Sequence, residues 1–268
     1  MHRLIWLVML VALLGAFAWA MAQTGEPSPT PAAVSPTPAS GPPAAPGAGR
    51  QPIAEKIELT CPVCGAKTPG WKITAFVSSG VDTDFCQLGA SDTYYQRMIA
   101  TCPVCGYTGY NDDYPPALSA LTPDVIAKIR KKIPRQFPLA QLEPWDRYSI
   151  LAQIYLWRGK PVIEVANAYL RATYTMRGLQ YGRFDRRQER ELRSLAIKHL
   201  IKAQEAAQFP LAEASQVKYL IGELYRRNGE FGRAIRYFED AQKIRTHPEW
   251  LDEMIIRQTA RANAYDDS

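Results

Sequence analysis

Cys61-Pro62-Val63-Cys64-Gly65 recurs as Cys102-Pro103-Val104-Cys105-Gly106, one pentapeptide written twice. In a C-P-x-C-G knuckle the chain turns so that two thiolates converge. The glycine permits a tight return that aims backbone amides at sulfur. Two knuckles together supply the four thiolates of a tetrahedral zinc site: Cys61, Cys64, Cys102 and Cys105. Four protein thiolates close the coordination, which implies a structural metal with no position for a substrate. The stretch between the knuckles, Gly65 to Thr101, is long for a minimal zinc ribbon and accommodates a hairpin insert.

Two alternatives stand beside zinc. In an oxidising compartment each C-x-x-C could form a disulfide, as in a thiol oxidoreductase, or the four cysteines could pair across the knuckles. No βαβ pattern surrounds either motif, which disfavours that reading. Iron in a rubredoxin-like centre is the other option, since Cys102 to Tyr107 reads C-P-V-C-G-Y. The flanking acidic and aromatic residues match that pattern only in part. The fifth cysteine, Cys86, lies in Asp82-Thr83-Asp84-Phe85-Cys86 and is read either as an additional or exchanging metal ligand or as a buried thiol. The two aspartates are better turn formers or outer acceptors than an acid/base pair. His199 and His247 fall in the C-terminal half and His2 at the extreme N-terminus, which argues against a catalytic zinc with mixed ligands.

Working outward toward the N-terminus, His2 and Arg3 precede an apolar run from Leu4 to Ala20, and Ala20-Met21-Ala22 sets small residues at the two positions a signal peptidase reads. Residues 1–22 are therefore expected to be a secretory signal, with an uncleaved membrane anchor as the alternative because the run nearly spans a bilayer. Residues 23–52 are Pro, Ala, Ser, Thr and Gly with almost no charge, as in Ser28-Pro29-Thr30-Pro31. Such a segment has too few large apolar groups to offset the entropy of ordering it, and its prolines make it a semi-stiff spacer.

Residues 53–116 contain short β-prone stretches and all five cysteines, and from Thr122 the period becomes helical. Thr122-Pro123-Asp124 is an N-cap followed by a first-turn proline, and Val125, Ile126, Ile129 and Ile133 share a face until Pro134, where the helix is expected to stop. Further helices are expected from Pro144 to Trp157, from Pro161 to about Leu179, after Asp185 to before Pro210, from Leu211 to Asn228, from Phe231 to Ile244 and from Pro248 to about Ala262. Gly159 and Gly229 are the expected C-caps. Short connections between long helices make antiparallel hairpins. Ile221-Gly222, Tyr225, Ala234, Phe238 and Ala241 fall at the small and aromatic positions of a tetratricopeptide unit, with Thr246 where a closing proline belongs. Ala152, Tyr155, Gly159, Ala166, Leu170 and Thr173 repeat the theme less well. The fold class is thus α+β: a small zinc-ribbon-like β domain at 53–116 and an all-α tetratricopeptide-like repeat domain at 117–268, whose apolar faces run from Trp145 to Ile256 as if forming a core of their own.

The double knuckle, the Asp82 to Cys86 segment and Tyr219-Leu220-Ile221-Gly222-Glu223-Leu224-Tyr225-Arg226-Arg227 together resemble the bacterial domain-of-unknown-function family 2225. That resemblance spans most of Ile57 to Ala262 and implies a zinc ribbon followed by tetratricopeptide-like helices, with no assigned activity. The leader and spacer depart from the family pattern and put a cytosolic role in doubt.

The formal charge of +6 on 268 residues is too mild to name a partner. An array of helices presents a curved surface to a peptide or protein without catalytic residues, so an exported, non-enzymatic binding module is the leading expectation. Arg183, Arg186, Arg187, Arg190 and Arg193, with Lys128, Arg130, Lys131, Lys132 and Arg135, raise nucleic acid or an anionic polymer as an alternative. Interspersed Asp185, Glu189 and Glu191 favour a solvated, partly paired helix face instead. Contact with a membrane is expected only through an uncleaved N-terminal segment. N-terminal sequencing of the native protein is expected to begin at Gln23; an intact Met1 would favour the anchor.

Overall fold

β1 (Ile53–Thr60) alternates half-buried Ile57 and Leu59 with exposed Lys56, Glu58 and Thr60, the period of a strand with one covered face. It pairs antiparallel with β2 (Lys67–Ala75), Thr60 opposite Lys67, so the first knuckle is the turn of a hairpin. A second, shorter hairpin joins β5 (Ile99–Thr101) to β6 (Thr108–Tyr110), Thr101 opposite Thr108, and its turn is the second knuckle. Between the hairpins lie the two-residue strands β3 (Gly80–Val81) and β4 (Gln87–Leu88), which pair with each other, and the helix α1 (Ser91–Arg97). The computed structural model describes residues 53–76, 78–88, 91–115, 121–177 and 186–268. The leader and spacer expected at 1–22 and 23–52 lie outside the described residues, as do Arg183 and Asp185.

Seven further helices follow: α2 (Pro123–Gln136), α3 (Pro144–Arg158), α4 (Val162–Arg177), α5 (Arg186–Glu205), α6 (Ala214–Arg227), α7 (Phe231–Gln242) and α8 (Glu249–Asn263). The Thr122 side chain accepts the Val125 N–H at 3.3 Å, as an N-cap should. Gly159 ends α3 in the left-handed conformation that favours glycine, φ 64°. Pro134 does not stop α2. It occupies the last turn, and the Phe137 N–H still reaches the Ile133 carbonyl at 2.9 Å beyond it. Among the described residues no helix is long and apolar enough to cross a membrane.

The tetratricopeptide reading of the helical part holds at its tightest point. A Cβ on Gly222 would lie 2.7 Å from the Phe238 ring and 3.2 Å from the Ala234 carbonyl oxygen, so the glycine sets how closely α6 and α7 approach. Ala234, Phe238 and Ala241 are buried against it, and Ala152, Ala166, Leu170 and Thr173 are buried in the earlier hairpin. The architecture is α+β, with helical hairpins stacked as a repeat-like array.

The helical core is not closed off from the β part, because both hydrophobic clusters among the described residues contain residues from each side of the boundary at 116. Cys61, Val63, Cys102, Cys105, Tyr107 and Tyr114 pack with Val125, Ile129 and Ile133 of α2 and Ile150 and Ile154 of α3. Cys86, Tyr95 and Ile99 belong to the larger cluster that runs from Trp145 to Ala262.

Buried polar groups tie the same parts together. Tyr148 donates to the Tyr95 carbonyl at 2.7 Å. Asp113 accepts from Tyr155 at 2.8 Å and from Arg158 at 2.7 Å. Asp84, fully buried, faces the Arg177 guanidinium, while Arg227 reaches Asp82 at 3.0 Å and Thr83 donates to Glu223 at 2.6 Å. Burial alone would raise the Asp84 carboxyl, but the Arg177 charge holds it below the usual carboxylate range. Removing one partner of such a buried pair costs about 3–5 kcal/mol, since the other charge stays desolvated. A chain beginning at Leu121 exposes the α2 and α4 surfaces and leaves Arg177 without Asp84. Calorimetry of that fragment is expected to show no single cooperative transition, and a sharp one like that of the whole would contradict the shared core.

Candidate metal centre

The two knuckles are built alike, bond for bond. In the first, the Gly65 N–H meets the Cys61 carbonyl at 2.9 Å and the Cys61 N–H meets the Ala66 carbonyl at 2.9 Å. In the second, the Gly106 N–H meets the Cys102 carbonyl at 3.0 Å and the Cys102 N–H meets the Tyr107 carbonyl at 2.8 Å. Gly65 and Gly106 adopt φ 74° and 75°, the left-handed region the return requires. Gly106 is constrained a second time: a Cβ there would stand 2.4 Å from the Ile133 side chain and 2.8 Å from that of Leu139. Gly65 has open space around it.

The hairpin turns face one another, and the sulfur atoms of Cys61, Cys64, Cys102 and Cys105 all lie within 4.8 Å. The Cys61 and Cys105 sulfurs are 3.6 Å apart, and those of Cys64 and Cys102 3.5 Å. Both distances cross between knuckles, and all five cysteines are free thiols. A tetrahedral zinc with Zn–S bonds of about 2.3 Å places its sulfurs about 3.8 Å apart, so the donor set fits that ion in number, element and spread.

Electrostatics prepares the same chemistry. The hydrogen bond from Cys105 holds the Cys61 thiol down at about 5, aided by the amides of Val63 and Cys64, and the same bond pushes Cys105 up. Burial raises Cys64, against an amide from Ala66. The pairing favours a thiolate within the Cys61–Cys105 pair, the form that ligates metal. Cys61, Cys102 and Cys105 are buried and Cys64 partly so, with α2 laid over the second knuckle and Arg130 donating to the Val63 carbonyl of the first.

The structure does not bring Cys86 to the four. Its sulfur lies in the larger hydrophobic cluster, where burial pushes the thiol up to about 11 and leaves it protonated. Nor do Asp82 and Asp84 form an acid/base pair, because both are held by Arg177. His199 stacks on Tyr169 and His247 bonds to Asp252 at 2.8 Å, both in the helical part. Sequence reasoning placed Arg130 only among the basic residues of a polyanion surface and missed Asp113; the fold alone carries Arg130 to the first knuckle and Asp113 to the turn after β6.

A family model described as "Uncharacterized protein conserved in bacteria (DUF2225)" matches residues 54–265, from the first strand through the last helix. No curated protein and no solved structure matches the chain. The two glycines give a graded test. Gly65→Ala is expected to cost about 1–2 kcal/mol, the strain of a left-handed residue bearing a Cβ. Gly106→Ala adds the collision with Ile133 and is expected to melt at a distinctly lower temperature. Equal melting temperatures of the two variants would contradict the packing described.

Proposed function

As this chain belongs to DUF2225, a family of uncharacterised proteins conserved in bacteria, we propose that it is an exported, non-catalytic interaction module whose ribbon is stapled by one structural zinc. The observation that carries the reading is the convergence of four sulfurs, two from each knuckle, within 4.8 Å. Cys61, Cys64, Cys102 and Cys105 hold the ion and fill its coordination, so it takes no part in chemistry on a substrate. When bound, the metal supplies folding free energy: zinc-finger peptides gain roughly 10–16 kcal/mol from their ion. The hairpins are short and share a cluster with α2 and α3, so that free energy reaches the helical part as well.

Export rests on the Leu4 to Ala20 apolar run and the Ala20-Met21-Ala22 motif, and the proline-rich spacer then holds the folded part away from a membrane or wall. The helical array supplies the surface for a protein or peptide partner. Between α5 and the α6–α7 hairpin lies an open groove of about 440 Å³, lined by Lys198, Ile201, Lys202, Tyr225 and Arg233 among others. Its mixture of apolar, aromatic and charged side chains suits a peptide segment. The polyanion reading loses support, because Arg193 is buried against Glu189 and donates to the Arg227 carbonyl. The oxidoreductase reading is weakened by the close sulfur pairs, which run between the C-x-x-C motifs.

Metal analysis with thiol titration of the purified protein tests the proposal. One zinc per chain is expected. Cys64→Ser or Cys105→Ser should release it and lower the melting temperature, and Cys86→Ser should keep the stoichiometry near one. Two disulfides and no metal in the native protein would overturn it.

A further inference from the structure

Beside the second knuckle a cavity of about 270 Å³ opens among β2, α1, β5, the turn before α3 and α3 itself. Cys102, Trp71, Gln96, Thr101 and Arg147 are among its walls. Arg147 is the feature that needs an explanation. Its Nε is buried without a hydrogen-bond partner. Glu143, four residues earlier, acts on it through space, while its carboxylate caps α3. Burial pulls Arg147 below the usual arginine range. Its place in the first turn of α3 is also unfavourable, because the helix dipole there repels a cation.

A guanidinium held partly out of water, with one N–H unbonded and a single carboxylate acting on it, bears part of the cost of desolvation. All three penalties on Arg147 are relieved by an anion in the cavity. Two further cations stand close by: Arg97 lies 4.3 Å and Lys56 5.6 Å from the centre of the Trp71 ring that walls the space. The volume suits an oxyanion with a short substituent, and a guanidinium recognises such a group through paired N–H donors.

We propose that this cavity is a binding site for a small oxyanion, a phosphate or carboxylate group seated on the Arg147 guanidinium, with Gln96 and Thr101 as further polar partners and Trp71 as its flat wall. The site is separate from the α5–α7 groove and does not depend on the identity of any partner there.

Isothermal titration of the zinc-loaded full chain at low salt, with inorganic phosphate in one arm and succinate in the other, tests the site and separates the two sources of charge. Saturable binding of at least one probe, at one site per chain, is expected. Arg147→Met should weaken it by about tenfold or more, the worth of a charge-assisted hydrogen bond, and leave the zinc content unchanged. Gln96→Glu should add a carboxylate to the wall of the same cavity and abolish the binding of both probes without lowering the melting temperature. Absence of saturable binding, or unchanged binding in Arg147→Met, would overturn the proposal. So would loss of zinc from Arg147→Met, which would make the residue a counter-charge of the metal centre. If Arg147→Met does not fold, Gln96→Glu decides alone, and binding retained in that variant rejects the site.

Discussion

Holding four sulfurs within 4.8 Å of one another is the constraint from which the rest of this structure follows. Thiolates so close repel, and the chain meets that cost by turning two hairpins toward each other with left-handed glycines and backbone amides aimed at sulfur. Each hairpin ends at its knuckle because the register fixes it there, Thr60 opposite Lys67 and Thr101 opposite Thr108. The α2 face of Val125, Ile129 and Ile133 then closes over the second knuckle, against a glycine that has no room for a methyl group. Four sulfurs in this position anchor the fold, because the residues around them are also the residues that begin the helical array.

A second set of forces fixes the insert between the hairpins. Asp82, Thr83 and Asp84 reach Arg177 at the end of α4 and Glu223 and Arg227 on α6, and Phe85 adopts φ 67° as the chain turns between Asp84 and Cys86. Glu223 and Arg226 are themselves fully buried, two bonds of 2.8 Å joining them. Pairs like these add little net stability over an apolar core, but they are specific in geometry and punishing when broken. They therefore act as registration marks, setting where the insert sits on the helices. The stretch that suggested acid/base chemistry in the sequence is spent on that task.

Much of this was legible beforehand. The helices of the C-terminal part fall where prolines and glycines punctuate the sequence, because caps and first-turn prolines act locally and Gly159 has the same role in any context. The small residues at Gly222 and Ala234 announced a close helix crossing for an equally local reason. The knuckles were readable because metal ligation ties residue type to spacing. What escaped was non-local. Helix α1 and the β3–β4 pair are too short to show a period and exist through their packing, with Tyr95 inserted in the larger cluster. Pro134 reads as a stop in sequence, yet the helix runs two residues past it and gives up only the bond that position would have made to the Arg130 carbonyl. The partners of Asp84, Asp113 and Arg130 lie far away in sequence, and no pattern along the chain records such a pairing. Arg147 was invisible because an unbonded Nε leaves no trace in sequence.

The centre as described is a four-sulfur site drawn equally from two knuckles, and X-ray absorption at the zinc edge of the purified native protein examines it most directly. The expected spectrum is a single shell of four sulfur neighbours at about 2.3 Å with no nitrogen or oxygen in the first coordination sphere. A shell containing oxygen or nitrogen, or fewer than four sulfurs, would show that one of Cys61, Cys64, Cys102 and Cys105 does not ligate. It would return the site to the class of open, chemically active metals.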